Sequence, residues 1–384
     1  MRPQALWFTI TCAVAETRSP GPREIKGLVL SGGKGSRLRP FTYTGAKQLV
    51  PIANKPILFY ALEQLVECGI LDIGIVVGEM ADQVRATVGD GSRFGARVTY
   101  VQQEAPLGIA HAIKVSRPFL GDHPFVVFLG DNFINGGVVP YVERFRRSGP
   151  DCQVLLKSVP NPCEFGVAQF ENGRLARVVE KPSQPPSDLA VIGIYMFGAP
   201  VFEAVEAIRP SARGELEITD TIQYLIDHGY GVRAEVVEGW WIDTGKMDDL
   251  LAANRVILET LTPRSAGSVD AGSRLEGVVV LEEGCRVEGS VIRGPAIIGE
   301  RALIINSRVG PFASIYHDSV VRESHLEGSV VLENTVIEGL GAPVRDSLIG
   351  RNVEVMGGGA SPPQAEEGAS YRLVLGDFSR VRVP

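Results

Sequence analysis

Short apolar runs alternate with stretches of helical periodicity through the first half of the chain. Leu28–Leu30, Ile73–Val77, Val98–Val101 and Phe125–Leu129 have the length and character of buried strands. Between them, Pro56–Cys68, Ala81–Val88, Gly108–Val115 and Val139–Arg147 carry a helical pattern. This alternation predicts an α/β fold with a Rossmann-like, mostly parallel sheet covered on both faces, and ligands at the carboxyl ends of its strands. From Cys152 the rhythm tightens. Cys152–Val159, Gly166–Phe170, Leu175–Glu180 and Val191–Phe197 read as strands with short connections, and Asn172-Gly173 is a hairpin signal. Helices are predicted at Pro200–Ile208 and Thr219–His228, with Thr219 as an N-cap, and a strand at Val232–Val237. A helix from Met247 to Leu261 closes this part. Leu250, Leu251, Asn254, Leu258 and Leu261 mark its inner face, with Asn254 the polar exception.

After Pro263 the period becomes six. Val269, Leu275, Leu281 and Val287 begin a series that runs through Ile292, Ile298, Ile304, Val309, Ile315 and Val321, then more loosely through Leu326, Leu332 and Ile337. Val287, Ile304 and Val321 are seventeen apart. A hexapeptide period with a coil of that length predicts a parallel β-helix with one apolar residue per face pointing inward. The chain therefore divides into an extension over 1–24, an α/β domain over 25–262, a β-helix over 263–355 and a tail over 356–384. The tail contains the linker-like run GGGASPPQAEEGAS, and Leu373–Phe378 is read as a returning strand.

Composition narrows the partners. The 384 residues are 45% hydrophobic and 22% charged, with a net charge of −7. That balance argues against a nucleic-acid-binding surface, while leaving room for a local basic pocket. Cys12, Cys68, Cys152, Cys163 and Cys285 have no metal-ligand or Cys-x-x-Cys spacing, as expected of reduced thiols in a cytoplasmic protein. No stretch is long enough to be a membrane span. The apolar run Ala5–Val14 imitates a signal peptide, but Thr9 and Thr11 interrupt it and its basic flank is thin. It is read as part of a disordered extension.

The chemistry centres on Gly27–Pro40, GLVLSGGKGSRLRP. Gly32, Gly33 and Gly35 follow a short strand and suit a turn whose N–H groups hold an anion. Arg37 and Arg39 add fixed positive charge beside it. The loop satisfies neither the Walker A spacing nor the dinucleotide fingerprint. Asp131 ends an apolar strand, and Asp243 follows another in Trp241-Ile242-Asp243-Thr244-Gly245. Two such carboxylates converging on one ion suit magnesium-assisted phosphoryl chemistry.

The glycine loop, followed by Lys47-Gln48-Leu49-Val50-Pro51 and Asn54-Lys55-Pro56, resembles the sugar-1-phosphate nucleotidylyltransferases, and within them the thymidylyl branch with a C-terminal left-handed β-helix. The resemblance covers about Ile25 to Gly350. It implies transfer of a thymidylyl group from dTTP to glucose 1-phosphate, releasing pyrophosphate, for deoxysugar synthesis. It assigns Arg37, Lys47, Asp131 and Asp243 to catalysis, with Mg2+ on the two aspartates. Gly32, Gly33, Gly35, Ser36 and Gln48 would meet the nucleotide, and Gln103 and Gly108 its base. Phe165, Gly166, Glu180, Lys181, Val191, Gly193 and Arg213 would meet the sugar phosphate. Phe165 stands where many of the branch have Tyr. His111, His317 and His325 are read as structural. The β-helix is read as an oligomer interface, making the chain a homo-oligomer, or as a regulatory platform. A uridylyltransferase, a bifunctional enzyme with an acyltransferase in the β-helix, and a non-catalytic regulatory subunit remain alternatives.

Overall fold

The computed structural model describes residues 24–33, 35–358 and 369–383. All but the last residue of the expected extension, and the middle of the tail's linker-like run, lie outside them.

Asp72–Val77 and Phe125–Leu129 flank Lys26–Ser31 in parallel, and Arg97–Gln102 joins the free side of Asp72–Val77. Side chains alternate across this sheet. Val29, Ile73, Ile75, Val126 and Phe128 share one core with Leu58, Leu62 and Leu65 of the helix Ile57–Glu67. Leu28, Val76, Phe125 and Val127 share another with Ala110 and Ile113 of the helix Ile109–Val115. Burial on both faces explains why Lys26–Ser31, Asp72–Val77 and Phe125–Leu129 read as apolar runs. Arg97–Gln102, expected to be buried, is half-buried to exposed because it lies at the sheet edge.

The following strands are added antiparallel. Leu189–Phe197 pairs with Phe125–Leu129 and with Cys152–Ser158, and through Ala190 with Gly166–Glu171. Asn172 and Gly173 make the predicted hairpin turn with φ of 50° and 76°. The register slips between Val191 and Tyr195, so residues 192–194 bulge. The helix Ile218–Asp227 begins one residue early. Its N-cap is Glu217 without a side-chain cap, so the expected Thr219 cap is not made.

Beyond the helix Met247–Glu259, three parallel sheets stack the remaining strands as a left-handed parallel β-helix. Val287 lies beside Ile304, and Ile304 beside Val321, reproducing the seventeen-residue coil. Three positions depart from the inward pattern. Val269 and Leu275 are 38% and 40% exposed, because the first coil has no coil beneath it. Leu332 yields its interior place to Val331, which pairs with Ile315, and instead joins Phe41 and Ile52 in the seam between the β-helix and the α/β part. The last coil comes from Val374–Leu375 and Arg380–Val383, two short strands where one was expected.

Polar side chains help lock that seam, Asn254 and Asp377 among them. Asn254, buried within the closing helix, accepts from the Ala53 N–H at 2.9 Å and the Ser314 hydroxyl at 2.7 Å. It is polar because it serves both sides at once. Asp377, on the last coil, accepts from the Thr44 hydroxyl and from the Arg351 N–H at 2.8 Å. Among the described residues no helix is long and apolar enough to cross a membrane.

Candidate active site

The two aspartates meet because their flanking strands pair. Asn132–Ile134 runs antiparallel to Trp241–Asp243, with Asn132 opposite Asp243. The carbonyl of Asp131 accepts from both the N–H and the hydroxyl of Thr244, at 3.1 and 2.9 Å. Asn132 donates to Asp131 Oδ1 at 2.9 Å and accepts from the Trp241 indole at 2.8 Å. Both acidic loops are thus held from behind. Lys47 enters from the opposite side. Its Nζ lies 2.5 Å from Asp131 Oδ2 and 3.9 Å from Asp243 Oδ1. Burial and the neighbouring Asp131 push the Asp243 carboxyl up to about 6, against the opposing pull of Lys47 and Arg37. The ammonium stands in here for a cation between two carboxylates. Such all-oxygen donors suit a hard divalent ion.

The glycine loop lies beside this cluster. Gly35 has φ of 61°, and a Cβ there would press on Lys47 Cβ at 3.1 Å. Of the three loop glycines, it alone is left-handed. Gly32 serves closeness instead, its missing Cβ leaving 3.3 Å to Gln103 Oε1. Ser31 Oγ and Gln48 Oε1 are buried around the loop without a hydrogen-bond partner. Buried polar atoms are seldom left so, and a polar ligand on the loop would answer them.

A cleft of 610 Å3 opens from the aspartates along the antiparallel strands. It brings together Arg37, Asp131 and Asp243 with Phe165, Gly166, Glu180, Lys181, Val191, Gly193 and Arg213. Lys47 reaches this group through Asp131, whereas Gly32, Gly33, Gly35, Ser36, Gln48, Gln103 and Gly108 lie outside the cleft lining, toward the glycine loop. Gly193 sits in the bulge, where a Cβ would meet Leu129 at 2.6 Å. Arg213 is gripped by carboxylates, 3.0 Å from Glu180 and 2.7 Å from Glu215. Lys181 holds φ of 40°, strained for a side-chain-bearing residue. Its N–H donates to the Phe165 carbonyl at 2.9 Å, which ties the two candidate residues together.

Sequence reasoning missed three contributors. Thr219 donates to Glu180 at 3.2 Å and closes the space behind Gly166. The Trp241 ring meets Phe165 edge-on at 5.4 Å. Lys246 pairs with Glu164 at 2.6 Å at the edge of the cleft. The helix pattern accounts for Thr219 as local structure, Trp241 enters only as part of the motif that carries Asp243, and nothing in the sequence marks Lys246.

The sequence profile of the nucleotidyl transferase family matches residues 26–260. A glucose-1-phosphate thymidylyltransferase of Streptomyces griseus is 50% identical over 360 residues, covering 94% of this chain and 99% of its own. A low-salt glycan biosynthesis nucleotidyltransferase of Haloferax volcanii is 43% identical, covering 94% of this chain and 100% of its own. A solved Bacillus anthracis structure, described as a glucose-1-phosphate thymidylyltransferase in complex with sucrose, superposes with a TM-score of 0.58 at 38% identity. It covers 63% of this chain and 98% of its own.

Proposed function

Since the chain belongs to the nucleotidyl transferase family, we propose that its cleft joins dTTP and glucose 1-phosphate to give dTDP-glucose and pyrophosphate. The near full-length likeness to the Streptomyces enzyme supports this reading. So does the charge arrangement in which Lys47 lies between Asp131 and Asp243. That arrangement is the observation the reading rests on most.

A phosphate oxygen of the sugar phosphate attacks the α-phosphorus of the nucleotide. One P–O bond forms, the bond to the β-phosphate bridge breaks, and pyrophosphate leaves with the electron pair. The attacking group is already ionised, so no general base is required. The residues then serve to position and to neutralise charge. Arg37 and Lys47 attend the triphosphate, and Gly32, Gly33, Gly35, Ser36 and Gln48 line its bed. Gln103 and Gly108 meet the base. Arg213 and Lys181 hold the sugar phosphate. Glu180 takes the sugar hydroxyls, with Phe165, Gly166, Val191 and Gly193 shaping the pocket. Asp131 and Asp243 would hold a divalent metal, which we take to be magnesium and which would offset negative charge on the phosphates. With the two carboxylates holding the metal, Lys47 would be available to the triphosphate.

Pyrophosphate release with glucose 1-phosphate and magnesium tests the reading, with dTTP and UTP compared side by side. A kcat/KM for dTTP about tenfold or more above that for UTP is expected, the range a single methyl supplies. Equal use of both would overturn the thymidylyl assignment and leave the transfer chemistry.

Thiol labelling probes the rim of the cleft. Cys163 is exposed two residues before Phe165. Burial pushes the Cys68 thiol up to about 12 and Cys285 up to about 11, and raises Cys152 as well. Among the described cysteines, a maleimide should therefore modify Cys163 first. Peptide mass mapping reads the site, and turnover should fall severalfold as the adduct crowds Glu164 and Phe165.

A further inference from the structure

Gln103 is buried at the end of a strand, only 8% exposed, and its amide group is fully committed at one end. Nε2 donates to the Gly108 carbonyl at 3.2 Å and to His111 Nδ1 at 3.1 Å. A backbone carbonyl can only accept, so Gly108 fixes which end of the amide is nitrogen. His111 then has to accept the second amide hydrogen, which it does as a neutral ring with its own proton on Nε2. Burial and the nearby Lys114 both lower the His111 pKa, favouring that neutral form. The other end of the amide, Oε1, faces the glycine loop beside Gly32.

The histidine is itself well placed. It lies in the first turn of Ile109–Val115, which starts at Gly108 with φ of 101°. A Cβ on Gly108 would meet the Leu216 carbonyl at 2.3 Å, and Ala110 N–H donates to that same carbonyl at 3.3 Å. The helix start is thereby pressed onto a fixed neighbour, and His111 is carried to Gln103 with it.

We propose that His111 is a positioning residue for base choice, locking Gln103 so that it offers the nucleobase a carbonyl oxygen and no N–H. An acceptor in that place suits the N3–H of a dioxopyrimidine such as thymine or uracil. It opposes cytosine, whose N3 is itself an acceptor. The inference rests on the reading of Gln103 as the residue that meets the base. It assigns a task to a histidine that sequence patterning treats as structural.

His111→Phe keeps a flat ring and removes the lone pair. The KM for dTTP should rise about tenfold with kcat within about twofold, since the base is remote from the reacting phosphorus. The preference for dTTP over dCTP should shrink by about tenfold. His111→Asn, whose Oδ1 can accept in place of Nδ1, should restore both values. Unchanged KM and selectivity in His111→Phe would overturn the proposal. So would a parallel loss for dTTP and dCTP that Asn does not rescue, which would mean a packing role alone. Gln103→Leu reports separately on the underlying reading. An unchanged dTTP KM there would remove Gln103 from the base, and the role of His111 with it. Impaired Gln103→Leu beside normal His111→Phe would overturn the His111 role only.

Discussion

Asp243→Asn should lower turnover about a thousandfold, yet the metal-free variant should melt no lower than the parent at pH 7.5. The first effect follows from removing one of the two carboxylates proposed to hold the metal, where loss of a single charge-stabilising group costs about 10²–10³ or more in rate. The second follows from the burial that makes the site work. The Asp243 carboxyl is raised from an ordinary 3.8 to about 6, first by burial and then by Asp131. A group raised in the folded state contributes stability at low pH and loses it as pH climbs through the raised value. In chelator, the parent should therefore lose stability between about pH 4 and pH 6, and asparagine should not. The difference at neutral pH is about 1–2 kcal/mol, reduced from the full shift because Asp243 is partly open to solvent. Thermal melts in chelator from pH 4 to 8 measure it. Turnover above a tenth of the parental value, at saturating magnesium, would remove Asp243 from the catalytic set.

Deleting residues 369–384 should have the largest effect of any change outside the cleft. Val374–Leu375 and Arg380–Val383 cover Ile349 and Val355, both fully buried. Each newly exposed side chain costs about 1.5–3 kcal/mol, so the β-helix should melt at markedly lower temperature. Activity should suffer for a separate reason. Asp377 leaves with the tail, and it holds Thr44 in the segment leading to Lys47. Gln83 holds the same segment from the α/β side, donating to the Thr44 carbonyl at 2.8 Å and accepting from the Ala46 N–H at 3.1 Å. Asp377→Ala separates the two effects, because it leaves the apolar cover in place. A fall of about tenfold in kcat/KM with a small change in melting temperature is expected of it. Parental kinetics in Asp377→Ala would show that the last coil stabilises the fold without supporting the active-site loop.

How much of this was legible in the sequence depended on the range of the cause. Ala81–Val88 and Phe125–Leu129 occur as read, because periodicity and burial are set within a few residues. The seventeen-residue coil was equally plain, since each turn repeats the same packing problem. Leu332 was misplaced because its surroundings are shared between two parts of the chain, and a six-residue count cannot show which neighbour wins. Thr219 looked like a cap because its serviceable partner, Glu180, is 39 residues away. The convergence of Asp131 and Asp243 was foreseen from motif resemblance. The Lys47 ammonium between them is set by the fold alone, as is the pairing of Gln103 with His111. In sequence Asn254 is only an anomaly in an apolar stripe, and its partners on both sides of the seam explain it.

The Thr44–Asp377 contact joins residues 333 positions apart. A ribosome makes the glycine loop, Lys47 and both aspartates long before it makes Asp377. Chains grow at about 5–20 residues per second and fold largely from the N-terminus. The catalytic half therefore emerges with its inner groups assembled, while the brace on the Lys47 segment is added only once Asp377 has left the exit tunnel. A nascent chain not yet extended through Asp377 would carry the reactive groups without the clamp that sets them, so full activity is coupled to synthesis of the last coil.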